Sequence, residues 1–311
     1  MNEKCKSAVL LRLKPIKIIL AFTVAVIAIV NSSPLSDAII SGARLALFSI
    51  LPSLFPMFVI SDFLCAEPIS ARDGIATRIF EKAFGISAIG IRAFLCGNLC
   101  GFPIGATCCG ELMRDGLIDK DECESLIGIC SCPSAAFVIS GVGLGICRSA
   151  KDGVILYLSL IASAVVCGVL NKEKRAFSRN SHIIAGQKFD LSDSIKSAAV
   201  RSINVCAHIA FFSAILSFVD LAIKSPFIRA LISIPLEIGN ASKRLSQLTF
   251  SSPHIQFALI GLTLGFSGIC VLMQIRSVIP SFVSTRKYVK MKIEQGVICG
   301  ALSLLCSIIF R

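Results

Sequence analysis

The sequence predicts an all-α polytopic membrane protein made of two inverted repeats with broken helices and re-entrant hairpins. Three observations carry this prediction. The composition is 55% hydrophobic and 16% charged, with a mean hydropathy of +0.81, whereas an average soluble domain is about 25% charged. Several stretches approach the roughly 20 apolar residues that a helix needs to span a bilayer. Small residues interrupt these stretches at positions that correspond between the two halves of the chain.

Taken in order, Lys4, Lys6, Arg12, Lys14 and Lys17 lead into an apolar run at residues 16–30. The basic start resembles a signal peptide, but no small-x-small cleavage site follows. Residues 1–37 are therefore expected to form an N-terminal membrane segment. Residues 38–64 are a second apolar stretch holding Pro52 and Pro56. Proline in a membrane helix frees carbonyls, which must find partners in protein or in a hydrated cavity. Residues 93–113, AFLCGNLCGFPIGATCCGELM, are apolar but interrupted by Gly97, Gly101, Pro103 and Gly105. An unbroken span would not carry this run, so a re-entrant hairpin is expected there.

Residues 126–146 follow, broken by SCPSA at 131–135, and residues 153–170 read as a plain span. Residues 171–188 are hydrophilic and basic, so 171–194 is expected to be a cytoplasmic linker between a first repeat, 38–170, and a second, 195–311. The second repeat opens with residues 195–223, which carry Arg201, Asn204 and His208. A shorter mixed segment at 226–248 contains LEIGNA (236–241). Residues 255–275 are broken by GFSG (265–268), and residues 293–310 close the chain.

The formal charge of +12 could suggest nucleic acid. The basic residues, however, lie in short clusters between apolar segments, as in loops retained in the cytoplasm. With a cytoplasmic N-terminus and a hairpin at 93–113 that returns to its own side, 22 of the 31 Lys and Arg residues fall on the cytoplasmic side. Arg286, Lys287, Lys290 and Lys292 are counted in that set. The 15 cysteines mostly lie inside apolar segments, where a free thiol acts as a small hydrophobe. Cys96, Cys100, Cys108 and Cys109 are near one another, but none forms paired CxxC spacings with a nearby His, so no metal is assigned. Heavy use of thiols suggests a reducing cell interior.

The halves agree in spacing: Gly105 precedes Ser134 by 29 residues, and Gly239 precedes Ser267 by 28. Under the charge-based topology the first long segment runs inward and the second outward, so the repeats are inverted. Paired broken segments point to a secondary transporter's site. Broken helices expose N-terminal amides and C-terminal carbonyls at mid-membrane, where they can replace a solute's hydration shell. Small residues at the same positions also let helices approach closely without any solute.

The expected solute-facing residues are Asn98, Gly101, Pro103, Gly105, Ser131 and Ser134 in the first half, with Arg201, Glu237, Gly239, Asn240, Ser267 and Gln274 in the second. A carboxylate at membrane depth is costly and marks function. Glu237 is therefore expected either to carry a coupling proton or cation, or to orient a solute; the alternative is an interfacial salt bridge to Lys243 or Arg244. Asn98 and Asn240 can hydrogen-bond solute or cap helices. Arg201 can meet an anionic solute or snorkel to the surface, and His208 can be an interhelical donor. Asp62 and Asp220 read as interfacial. No catalytic triad, phosphate loop or HExxH is present, so neither an enzyme nor a bound cofactor is expected. A coupling ion, H+ or Na+, and a homo-oligomer are allowed. From the residues alone the solute is small and polar.

Residues 97–143, GNLCGFPIGATCCGELMRDGLIDKDECESLIGICSCPSAAFVISGVG, resemble the core of the YlbJ-type sporulation integral membrane proteins. These carry the nucleoside-recognition Gate repeat, also seen in spore maturation proteins and concentrative nucleoside transporters. LEIGNA and GFSGICVLMQ match in the second half, and the likeness covers roughly residues 38–310. SCPSA replaces the family's usual Asn- and Gly-containing break, and Gly239-Asn240 departs from its usual order. The resemblance implies a concentrative-nucleoside-transporter-like fold in the outer forespore membrane of a spore-forming bacterium. It further implies movement of dipicolinic acid, a small aromatic dicarboxylate. A nucleoside solute, or a non-transporting scaffold for spore-envelope assembly, are the alternatives.

Overall fold

The computed structural model describes residues 21–66, 69–70, 74–173, 183–184 and 189–310. The basic residues Lys4 to Lys17, Arg72, Lys174, Arg175, Arg179, Lys188 and Arg311 lie outside them, as does the start of the N-terminal segment. The architecture is helical. A short α1 (Ala21–Val30) precedes α2 (Ser32–Ala66), then α3 (Ile75–Phe84), α4 (Gly90–Cys100), α5 (Ile104–Arg114), α6 (Lys120–Cys130), α7 (Phe137–Ile146) and α8 (Ala150–Leu170). The second half holds α9 (Leu191–Ala222), α10 (Pro226–Ser233), α11 (Ile238–Ser246), α12 (Pro253–Phe266), α13 (Gly268–Val278) and α14 (Arg286–Phe310). Outside the helices, Ile69–Ser70 and Ile183–Ile184 form a two-residue antiparallel pair.

Among the described residues five helical segments are long and apolar enough to cross a membrane: α2, α8, α9, the α12–α13 pair and α14. Their outer faces are apolar, with Phe48 77%, Ile203 68% and Ile309 69% exposed. Water penalises apolar patches of this extent, and lipid does not. The chain is thus compatible with a multi-pass membrane protein.

Local chemistry places the helix ends. Asp119, Ser149 and Asp190 each accept a main-chain amide at the start of α6, α8 and α9, and Pro226 and Pro253 occupy first-turn positions where no amide is needed. Pro52 and Pro56 do not break α2. A π-helical stretch, Leu45–Ile50, precedes Pro52. It joins carbonyls to amides five residues on, and so serves carbonyls that lack an i+4 partner. The Ser53 hydroxyl donates to the Ile50 carbonyl at 2.8 Å. The whole of α7 is also π-helical.

Glycines facing small serine side chains let the long helices pack closely. A Cβ at Gly261 of α12 would sit 2.2 Å from Ser303 Oγ of α14, and one at Gly42 of α2 would sit 2.2 Å from Ser213 Oγ of α9. These are the close small-residue seams that membrane helices use in place of a hydrophobic driving force.

Candidate functional site

Four interruptions organise the interior. In the first half, α4 and α5 pack on each other around a turn at Gly101–Phe102–Pro103, where Gly101 has φ +91° and the Phe102–Pro103 peptide is cis. Gly97 and Gly105, expected to help break this segment, are helical and serve packing instead. A Cβ at Gly97 would lie 1.9 Å from the Cys130 carbonyl oxygen, and one at Gly105 would lie 2.3 Å from it. The second interruption is the non-helical stretch 131–134 between α6 and α7.

In the second half the turn falls at residues 234–237, between α10 and α11, so Gly239, Asn240 and Ala241 belong to the first turn of α11. The fourth interruption is confined to Ser267, with φ +68°, between α12 and α13.

Turn and break meet in each half through main-chain bonds. The Phe102 amide donates to Cys132 O at 3.0 Å, and the Ile269 and Cys270 amides donate to Pro235 O at 2.8 Å and Leu236 O at 3.0 Å. Ser134 serves the start of the next helix, taking the Phe137 amide on Oγ at 3.1 Å. These four amides are thus engaged by protein in this conformation.

Phe102 and Ser134 from the first half and Glu237, Ile238, Cys270, Val271 and Gln274 from the second line one small cavity, closed by Ile50, Leu54, Phe137, Val205 and Ile209. Its volume of about 20 Å³ admits little more than one water molecule. Glu237 is buried and caps α11. It takes the Gly239 amide at 2.8 Å, the Asn240 amide at 2.6 Å and Asn240 Nδ2 at 2.8 Å. Among the described residues no cation lies within ion-pair distance of it. Arg244, offered as its partner by sequence, instead makes a two-pronged pair with Asp220, at 2.9 and 2.8 Å. Asn240 bridges outward to Ser213 Oγ at 2.9 Å. Gln274 Nε2 contacts Cys270 Sγ, while Gln274 Oε1 is buried without a protein partner.

A larger vestibule of about 430 Å³ adjoins this cavity, and both share Ile50 and Phe137 as wall residues. The vestibule is lined from both π-helical stretches and from α11. Arg148 and Lys243 lie in its lining, with no Asp or Glu among the lining residues. Its volume falls in the range of small-molecule sites, about 300–1,000 Å³.

Some expected residues lie elsewhere. Arg201 pairs with Asp62 and stacks over Phe58, with its carbon 5.4 Å from the ring centre, and Ser194 Oγ also donates to Asp62. It is not part of the cavity lining. His208 bonds within its own helix, to Asn204 O at 2.7 Å. Asn98 is not a cap: it sits inside α4 and donates to Ile129 O at 3.2 Å, tying α4 to the end of α6, with its Oδ1 buried and unpartnered. Ser131 Oγ is likewise buried without a partner. Ser267 is buried and donates back to Leu264 O.

Several residues escaped sequence reasoning: Phe102 and Cys270 in the cavity, Arg148 and Lys243 in the vestibule, and Lys292. Lys292, counted above in a cytoplasmic cluster, is 1% exposed. Its Nζ donates to Gln295 Oε1 at 2.7 Å and lies 3.6 Å from Cys132 Sγ, behind the first break. Among the described residues no carboxylate pairs with it. A signal was present, because Tyr288, Met291, Lys292, Gln295, Gly296 and Cys299 all lie on the buried stripe of α14, at the i, i+3, i+4, i+7 spacing of one helix face.

No protein-family model, curated protein or solved structure matches the chain.

Proposed function

We propose that this chain is a secondary transporter of a small polar solute, bound where the four helix interruptions meet. The observation that carries the proposal is the cavity lined from both halves, with a buried, cation-free carboxylate at Glu237 and an unpartnered amide oxygen at Gln274. Gln274 Oε1 costs desolvation energy unless something binds there, and at Glu237, whose capping of α11 a neutral acceptor could serve, the charge itself is the costly part. The closed cavity beside a larger vestibule fits one state of an alternating-access cycle, with Ile50 and Phe137 between the two spaces. On this view α4–α5 and α10–α11 are re-entrant hairpins of inverted repeats, the N-terminus is cytoplasmic, and the bilayer surrounds the five long segments.

The solute we favour is a small aromatic dicarboxylate, with dipicolinic acid named by the likeness to YlbJ-type sporulation proteins; placement in an outer forespore membrane rests on that likeness alone. Arg148 and Lys243 in an acid-free vestibule attract anions, and buried Lys292 adds a cation behind the first break. Glu237 would then bind the solute together with a proton. A second reading has its own support. Glu237 and Gln274 present acceptors, which suit a neutral solute rich in hydroxyl and amino donors, such as a nucleoside.

Uptake into liposomes carrying the full chain separates these readings. Dipicolinate accumulation above protein-free liposomes, competed by unlabelled dipicolinate but not by uridine, is expected, with rates that respond to a pH gradient. Uridine uptake without dipicolinate uptake moves the assignment to nucleosides. No uptake of either solute under H+ or Na+ gradients overturns transport and leaves the scaffold reading.

A further inference from the structure

Three thiols from three helices converge at a point the transport site does not use. Cys65 lies near the end of α2, eleven residues beyond the cavity-lining Leu54, or about 16 Å along the axis. Cys96 comes from α4 and Cys108 from α5. The three sulfurs all lie within 4.8 Å of one another, with Cys65 Sγ and Cys108 Sγ 3.0 Å apart. Cys96 and Cys108 are buried and Cys65 is half-buried. Cys109, adjacent in sequence, turns away to Cys130 Sγ at 3.5 Å. The convergence is therefore selective among the clustered cysteines.

We propose that Cys65, Cys96 and Cys108 form a thiolate site for one soft d10 cation, Cu(I) or Zn(II). Thiolates prefer such ions over hard cations. Metal–sulfur bonds of about 2.3 Å put ligand sulfurs about 3.8–4.0 Å apart in tetrahedral or trigonal geometry, so side-chain rotations of modest size complete the site. Binding releases three thiol protons to solvent and forms three metal–sulfur bonds, with no change of oxidation state. Arg92 is fastened alongside, its Nη1 donating to Cys65 O at 2.7 Å. An occupied site ties α2 to both arms of the α4–α5 pair, the element whose turn meets the first break.

The test uses the full chain in detergent under anaerobic conditions with a non-thiol reductant. One equivalent of Zn(II) or of Cu(I) is added, in separate arms, against chromophoric competitors. Retention of one equivalent is expected in at least one arm, with N-ethylmaleimide labelling of Cys65 slowed at least tenfold and labelling of Cys306 unchanged. Cys96→Ser should lose at least about a hundredfold in affinity, and Cys306→Ser nothing. The labelling comparison needs no variant, so it stands even if Cys96→Ser misfolds. Equal Cys65 labelling with and without either metal overturns the proposal, as does failure of both metals to be retained against the competitors. Neither result bears on solute uptake.

Discussion

The Phe102 amide donates to the Cys132 carbonyl at 3.0 Å, joining the turn between α4 and α5 to the break before α7. Its counterpart is the Ile269 amide on the Pro235 carbonyl at 2.8 Å. Because both bonds run main chain to main chain, side-chain substitutions around the cavity leave this frame in place and change what it presents.

The frame depends on close approach at Gly97. A Cβ there would lie 1.9 Å from the Cys130 carbonyl oxygen and 2.8 Å from its carbon. The obstacle is backbone and cannot rotate away. Gly97→Ala should therefore lower stability by about 1–3 kcal/mol, despite the roughly 1 kcal/mol that alanine gains in a helix. Gly110→Ala, whose Cβ meets nothing closer than 3.4 Å, should be neutral or stabilising. Thermal unfolding in detergent, followed by circular dichroism, compares the two.

Glu237 holds three donors at the start of α11. Glu237→Ala should cost about 0.5–2 kcal/mol as a lost cap and abolish uptake. Glu237→Gln keeps one of the two accepting oxygens and turns an NH2 toward the donors of the other, so it should cost about 1–3 kcal/mol and still fail to couple uptake to a proton gradient. Wild-type, pH-responsive transport by Glu237→Gln would remove the carboxylate from the mechanism.

Asp62 and Arg201 are each less than a third exposed in their side chains, between the surface and buried limits for ion pairs. Asp62→Asn alone should destabilise by about 1–3 kcal/mol, because Arg201 loses its charge partner. The double variant Asp62→Leu with Arg201→Met should recover much of that and keep transporting. A double variant that folds but accumulates no solute would return Arg201 to the binding site.

At the vestibule, Arg148→Gln and Lys243→Gln should each raise the KM for dipicolinate roughly three- to tenfold with little change in maximal rate, and should weaken its salt dependence. Uridine transport, if present, should not respond. Equal KM values at low and high salt in the wild-type chain would rule out electrostatic capture.

Lys292 offers a sharper separation of folding from function. Lys292→Met fills similar volume without a buried charge, so stability should hold or rise, while uptake of an anion should fall at least tenfold. Unchanged dipicolinate uptake in Lys292→Met would make Lys292 a packing residue.

Much of this was legible in one dimension. Runs of apolar residues located the five long segments of the described residues, because a spanning helix needs a minimum apolar length that composition records directly. The starts at 38 and 293 fall six and seven residues inside the helices beginning at Ser32 and Arg286. The interruptions were legible too, but their edges were not. Gly97, Gly105 and Gly239 look like breaks in a string of letters, yet they are helical here, since glycine also marks places where another backbone comes close. Pro52 and Pro56 look disruptive, yet the π-helical turn before Pro52 lets α2 continue.

By itself, then, the sequence determined the apolar character of this chain, where its long apolar segments lie, and the neighbourhoods in which its helices are interrupted, since each is a property of contiguous residues. Only the tertiary structure decided which polar side chains meet. It committed Arg201 to Asp62 and Arg244 to Asp220, left Glu237 without a cation among the described residues, and buried Lys292 behind Cys132. It also gathered Cys65 with Cys96 and Cys108. Pairing of charges and thiols depends on distances between helices far apart in the chain, and hydropathy and local spacing carry no record of those distances.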